Sequence, residues 1–346
     1  MQIMKSEESI MNRVASILGI KYPFVQGAMS WLTDAKFVAA VSNAGGLGIL
    51  GPNAGQHTVT ASADETAQRM RQQVKQVQQL TDKPFAVTLI VAGGDPSIFT
   101  KKILDVVIEE HVPVVLLNSL GGVSSATYGV DPATMQTLKA HHIKTIVRSL
   151  QPSIADAKAV EAQGADIYVA TGFDEGGTMP GGEIGSFAIM PMIADAVKLP
   201  VLLAGGIADA RTVNAAFALG AEGVYVGSRL IPTVENPAAQ NVKQLIMDAT
   251  AEDLTLFRTT PAYYRSLPTK LVAQLVDNDQ TLPKAQAQQA NGKLMGGTSG
   301  MRLGMLDGDF EHGYVSVGTG ISMVHAIEPV QQVIDAMMQD YHDANK

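Results

Sequence analysis

From about residue 22 to about residue 230, short apolar, β-branched runs alternate with longer stretches of helical period, and Gly, Asp, Asn or Pro mark the junctions. Eight runs read as strands: Pro23–Gly27, Gly46–Gly51, Phe85–Val91, Val112–Asn118, Lys144–Leu150, Ala165–Thr171, Pro200–Gly205 and Gly223–Gly227. Between them Asp34–Asn43, Glu65–Leu80, Pro96–Glu110, Ser153–Gln163, Phe187–Val197 and Asp209–Leu219 read as helices, the last with Asp209 as N-cap and Gly220 just past its end. Val114-Val115-Leu116-Leu117 and Val201-Leu202-Leu203-Ala204 are apolar without alternation, which suits strands buried on both faces of a parallel sheet. The pattern predicts an α/β fold, a (β/α)8 TIM barrel with a C-terminal helical insertion or cap.

The rhythm breaks after Leu230. A helical stretch from Asn236 to Ala249 leads to Pro261-Ala262-Tyr263-Tyr264-Arg265, a Gln/Ala-rich helical segment and Gly296-Gly297-Thr298-Ser299-Gly300. The expected organisation is a barrel over 1–235, the helical insertion or cap over 236–314, and a closing segment over 315–346. That segment holds Val315–Ile321 and an amphipathic helix from Glu328 to Tyr341, expected to pack back on the barrel.

Composition narrows the chemistry. The chain has 346 residues, 46% of them hydrophobic and 17% charged, enough for one large core. Its net charge of −8 is dispersed and not gathered in blocks, so neither nucleic acid nor an acidic membrane is an expected partner; small molecules are. The absence of cysteine removes disulfides, iron–sulfur clusters and thiolate chemistry. No run reaches the 18 apolar residues or so of a membrane span, and a cytoplasmic protein is expected. No histidine pair has metal spacing and Asp307-Gly308-Asp309 lacks the rest of a calcium loop, so no metal is expected.

Barrel enzymes place chemistry where strands end, and phosphate commonly binds after strands seven and eight. Here those ends read Ala204-Gly205-Gly206-Ile207-Ala208-Asp209 and Val226-Gly227-Ser228-Arg229. Glycines let backbone N–H groups approach an anion, a following helix N-terminus favours negative charge, and Ser228 and Arg229 can donate further hydrogen bonds. Either group alone is explained as well by a tight turn; the pair points to phosphate. Gly46-Leu47-Gly48-Ile49-Leu50-Gly51 matches a dinucleotide fingerprint formally, but no helix follows it, so these glycines read as strand and close-packing residues.

Phe24-Val25-Gln26-Gly27-Ala28-Met29, Ser42-Asn43-Ala44-Gly45-Gly46-Leu47-Gly48, Thr171-Gly172-Phe173-Asp174-Glu175-Gly176-Gly177, Ala204-Gly205-Gly206-Ile207 and Val226-Gly227-Ser228-Arg229 together resemble the nitronate monooxygenase family, formerly 2-nitropropane dioxygenases, and the related flavin-type enoyl-acyl-carrier-protein reductases. The resemblance spans about residues 20 to 232, with Val317-Gly318-Thr319-Gly320 also matching. It implies an FMN-binding barrel, with Gly27, Ala28 and Met29 beside the isoalloxazine ring and Gly205, Gly206, Gly227 and Ser228 around the phosphate. Thr88, Thr171 and Gly172 complete the implied cofactor site, and Arg148 would face the pyrimidine side, where a cation stabilises reduced flavin. The bland alternative for Arg148 is an ordinary ion pair.

One departure matters. Relatives place a histidine directly after the Glu-Ser/Ala-Gly-Gly run, as base or substrate-orienting group, and this chain has Thr178 there. Threonine is no base at ordinary pH, although its hydroxyl can donate to an anion. Asp174 and Glu175 are candidate replacements, with Glu183 alongside them, and His312, near the last family motif, is another; solvated or capping carboxylates and an ordinary loop histidine are the bland alternatives. His57, His111, His141, His142 and His342 read as surface residues. Tyr263, Tyr264, Met295, Met301 and Met305 are candidates for an apolar substrate pocket in the cap, and a packed cap interior explains them equally well.

Three readings follow. The first is an FMN enzyme oxidising nitronates with O2, which needs no base if the nitronate is preformed. The second is an NAD(P)H-dependent flavin reductase of an enoyl thioester, enone or quinone, with NAD(P)H as co-substrate. The third is a non-catalytic flavin-binding protein. The sequence does not fix the oligomeric state, and a homodimer is one assembly open to it.

Overall fold

The computed structural model describes residues 12–91, 96–119, 128–296, 299–339 and 341. Of the positions singled out above, Gly297, Thr298 and His342 lie outside these residues.

Helix α1 (Arg13–Leu18) is followed by β1 (Phe24–Gln26), α2 (Ala35–Asn43), β2 (Gly48–Leu50), α3 (Ala63–Leu80), β3 (Phe85–Val91), α4 (Ile98–Glu109), β4 (Val114–Ser119), α5 (Pro132–Ala140), β5 (Lys144–Ser149), α6 (Ile154–Ala162) and β6 (Ile167–Thr171). A short strand β7 (Gly177–Met179) interrupts the repeat before α7 (Ser186–Ala194), β8 (Val201–Ala204), α8 (Ala210–Ala218) and β9 (Gly223–Val226). Eight strands, all of these except β7, form one parallel sheet in the order β1-β9-β8-β6-β5-β4-β3-β2. A parallel bridge between Val25 and Leu47 joins the two ends, and the Gln26 side chain accepts from the Ile49 N–H at 2.7 Å across the same seam. The ring is the predicted barrel.

Strand pleat explains how one apolar run serves two cores. On β3, Val87, Leu89 and Val91 face the surrounding helices, whereas Ala86 belongs to the cluster inside the barrel and Ile90 reaches its open end. Val114, Leu116, Ile146, Ile167, Val169 and Leu202 fill the interior. Helix α1 plugs the N-terminal end: Val14, Ala15 and Leu18 join that interior cluster, while Asn12 Nδ2 donates to the Glu222 carbonyl at 2.9 Å and Arg13 to the Lys198 carbonyl at 2.9 Å. The glycines of the second strand are close-packing residues as expected: a Cβ on Gly51 would lie 2.8 Å from the Met29 carbonyl oxygen.

Beyond β9 come α9 (Gln240–Asp248), β10 (Thr255–Arg258), β11 (Tyr263–Ser266), α10 (Lys270–Thr281), α11 (Lys284–Leu294), α12 (Ser299–Met305) and finally α13 (Val330–Met338). Helix α13 packs on α2 and α8 through Val330, Val333, Ile334 and Met337, and so takes the place of the helix that should directly follow β9. Everything between is inserted. The insertion is not wholly helical: β10 and β11 form an antiparallel hairpin, and β11 pairs with β7, with Tyr264 opposite Thr178. Neither β7 nor the hairpin has a sequence signal, because each is short and its apolar partners lie far away in the chain. No described helix is long and apolar enough to cross a membrane.

Candidate active site

A cavity of about 560 Å³ opens at the C-terminal end of the barrel strands, within the range of small-molecule sites. The barrel supplies one wall and the inserted segment the other.

On the barrel wall, Gly205 (φ 100°) and Gly206 (φ 73°) adopt left-handed backbone that favours glycine. A Cβ at Gly205 would meet the Ser186 hydroxyl at 2.9 Å and the Gly172 carbonyl at 3.0 Å, whereas one at Gly227 would enter open space. The N–H groups of Gly206, Ile207 and Ser228 donate to no acceptor among the described residues, and all three residues line the cavity. These turn amides are therefore free to receive an anion. The N-terminus of α8 is not, because Asp209 caps it, accepting from the Thr212 N–H at 3.0 Å. Arg229 is also committed elsewhere: it is buried and paired with Glu328 at 2.6 Å, so its expected contribution is corrected. The Ser228 hydroxyl accepts from Gly318 N–H at 2.9 Å.

Deeper in the same wall, Arg148 on β5 donates to Asn118 Oδ1 at 3.1 Å and, through its other terminal nitrogen, to the Glu175 carboxylate. Both side chains are 11% exposed. The pair has the ion-pair character of the bland reading but sits in the cavity wall and not on the surface. Burial pushes the Glu175 carboxyl above its ordinary value, and the attraction of Arg148 and Arg265 offsets only part of that. Arg148 Nε and Glu175 Oε1 are buried and make no hydrogen bond among the described residues, although both residues belong to the cavity lining. Tyr225, on β9, accepts from the Ala28 N–H at 2.8 Å and so fixes the Gly27–Met29 turn, all three residues of which line the cavity.

On the insertion wall, Thr178 and Tyr264 come from paired strands, and Tyr264 shares a 2.5 Å hydrogen bond with Ser316. Burial pushes the Tyr264 phenol well above its ordinary value, and that of Tyr314 up to about 12, so both keep their protons at neutral pH. Met295 and Met301 supply the apolar surface beside them.

Eight of the eleven expected cofactor residues line the cavity: Gly27, Ala28, Met29, Arg148, Gly205, Gly206, Gly227 and Ser228. Thr88 does not, because it faces the barrel interior two residues below Ile90, about 6–7 Å deeper along β3. Nor do Thr171, fully buried at the end of β6, and Gly172, which packs against Ser186. Thr178 and Glu175 are in place, and so is Asp174, whose side chain accepts from the Ser186 N–H at 2.6 Å. Glu183 is not a lining residue. His312 points outward, 75% exposed and bound to Asp309 at 2.9 Å, and does not reach the cavity; its proposed role as a substitute is corrected. Tyr263 packs edge-on to Phe173, and Met305 lies in the core.

Sequence reasoning passed over Asn118, Tyr225 and Ser316. Asn118 stands at a strand end, where the barrel rule would have found it. Tyr225 is the one polar handle in the run Gly223–Val226. Ser316 has no local signal.

With this geometry in hand, comparison with known proteins gives a consistent result. The family description "Nitronate monooxygenase" matches residues 11–340. A probable nitronate monooxygenase of Staphylococcus saprophyticus is 30% identical over 313 residues, covering 78% of this chain and 82% of that protein. The (3aS,4S,5R,7aS)-5-hydroxy-7a-methyl-1-oxo-octahydro-1H-indene-4-carboxyl-CoA dehydrogenase of Rhodococcus jostii is 30% identical over 263 residues, 76% of this chain and 67% of that protein. Among solved structures, FabK from Thermotoga maritima is 31% identical with a TM-score of 0.80 over 96% of each chain. Nitroalkane oxidase from Streptomyces ansochromogenes, at 23% identity and a TM-score of 0.75 over 94% of this chain and 97% of that one, shares the fold. The chain is an oxidoreductase and belongs to the nitronate monooxygenase family.

Proposed function

We propose that this enzyme binds FMN in the barrel-mouth cavity and oxidises nitronates with O2. The observation that carries the reading is the coexistence, in one cavity, of unengaged turn amides at Gly206, Ile207 and Ser228 with the Arg148 guanidinium in the same wall. The amides fit a phosphate, and a cation in the same wall suits the pyrimidine side of a flavin, where it would stabilise the reduced form. Gly27, Ala28 and Met29 would flank the ring. Bound FMN supplies two-electron redox chemistry and reaction with O2.

The protein's own groups decide which form of substrate is accepted. Thr178 can donate a hydrogen bond to a substrate oxygen but cannot remove a carbon-bound proton, and the Glu175 carboxylate is engaged by Arg148. The substrate therefore enters already deprotonated, as a nitronate and not as the neutral nitroalkane. Tyr264 and Ser316 add neutral donors opposite the ring site, and Met295 and Met301 receive the carbon chain.

A second reading, an NAD(P)H-dependent flavin reductase of an enoyl or enone substrate, is favoured by the likeness to FabK along nearly the whole chain. Protonated Tyr264 and Tyr314 would then serve a substrate carbonyl. The deciding experiment is the visible spectrum of the purified protein, followed anaerobically. Bleaching by a nitronate alone supports the first reading, bleaching by NADH or NADPH supports the second, and a colourless protein that takes up no FMN overturns both.

A further inference from the structure

Between β6 and β7 the chain carries Asp174 and Glu175 over the cavity, and three consecutive carbonyls of this loop are held from outside the barrel. Arg265, on β11, donates through Nη1 to the carbonyls of Phe173 at 2.6 Å and Glu175 at 2.7 Å. Between these two, the Asp174 carbonyl accepts from the Thr319 N–H at 3.0 Å and its hydroxyl at 3.2 Å. The Arg265 guanidinium also lies over the Phe173 ring, 5.3 Å from its centroid. Arg265 does not line the cavity and makes no ion pair among the described residues. A partly buried guanidinium held on neutral carbonyls is a costly arrangement unless it serves the loop it grips.

We propose that Arg265 is a positioning residue that acts through Glu175: by gripping the carbonyls on either side of Asp174 it fixes the Glu175 carboxyl against Arg148, and so ties the inserted segment to the charged pair in the cavity wall. The proposal rests on the flavin-oxidoreductase reading of that cavity. Its geometric basis is the register of β11 on β7, which sets Arg265 opposite Gly177 and Tyr264 opposite Thr178. One strand therefore carries both the grip on the β6–β7 loop and a tyrosine of the opposite cavity wall. The charged and titratable groups around Glu175 are Arg148 from β5, Tyr225 from β9, Arg265 from β11 and neighbouring Asp174. Removing Arg265 withdraws one of two positive neighbours from an already buried carboxyl and releases the loop that aims it.

The sign follows from linkage. The folded Glu175 binds its proton more tightly than the unfolded chain, so its contribution to stability is full in acid and falls as pH rises through the folded value. Arg265→Gln should move that fall to higher pH by about one unit, and Arg265→Lys, which keeps the charge, should bring it back. Two readouts are compared, each taken as the difference from the matching Glu175→Gln background. One is the pH profile of flavin reduction in the loaded enzyme; the other is the pH dependence of the unfolding midpoint of the flavin-free protein. Coincident midpoints in wild type and Arg265→Gln overturn the proposal. If Arg265→Gln does not fold, Arg265→Lys decides: an unshifted midpoint with slower reduction supports the grip, and wild-type rate and midpoint together overturn it. A wild-type protein that takes up no flavin sinks the functional reading instead, and the unfolding series still tests Arg265.

Discussion

The barrel wall of the cavity carries Arg148, Asp174 and Glu175, whereas the insertion wall carries Tyr264, Tyr314, Ser316, Met295 and Met301 and no charge among the described residues. On the barrel side, charges stand at neighbouring strand ends, close enough to neutralise one another: Arg148 finds Asn118 and Glu175 within reach. On the other side the polar atoms are hydroxyls linked to each other, held protonated by burial. On the proposed reading, the difference teaches that orientation and charge belong to one wall and substrate fit to the other. The first depends on paired charges in a low-dielectric site and the second on neutral contacts.

Substitutions can break this division, and they are expected to differ in size. Arg148→Met strands the buried Glu175 carboxylate and should cost about 3 kcal/mol or more of unfolding free energy at neutral pH, measured by urea titration. The loss should shrink in acid, as Glu175 takes up a proton, and in the double variant with Glu175→Leu; an equal loss at all pH values would mean the pair is not the source. Gly205→Val forces a β-branched residue into left-handed backbone against Ser186 and Gly172. It should weaken FMN retention about 10- to 100-fold by equilibrium dialysis, with the barrel still folded by circular dichroism. Tyr264→Phe removes one hydroxyl of the insertion wall and should raise KM about fivefold while the flavin spectrum stays unchanged, the value of one neutral hydrogen bond. His312→Ala should alter turnover and stability by less than about 0.5 kcal/mol, since the side chain is exposed. A large loss of turnover there would return it to the list of catalytic candidates.

The barrel was legible in the sequence because each of its rules is local. Apolar runs such as Val114–Leu117, caps such as Asp209 and glycine pairs at 205–206 announce strand, helix and turn within a few residues. The sheet β10-β11-β7 was not legible, because pairing Thr178 with Tyr264 is decided by tertiary contact and not by propensity. Residues expected at the cofactor line the cavity where they stand at the very end of a strand and fall one layer short where they do not. Arg148 reaches the cavity, while Thr88 stays inside the barrel. His312 failed for a different reason: a motif's neighbourhood in sequence says nothing about which way a turn such as Asp309–His312 faces.

Because α1 stoppers the N-terminal end of the barrel with Val14, Ala15 and Leu18, the described residues leave no passage through the ring of strands at that end. An electron donor and an electron acceptor that both enter from the opposite side, and that the cavity holds one at a time, would have to take turns. Such turn-taking gives parallel lines in double-reciprocal plots of rate against either reactant, and makes each an inhibitor of the other at high concentration.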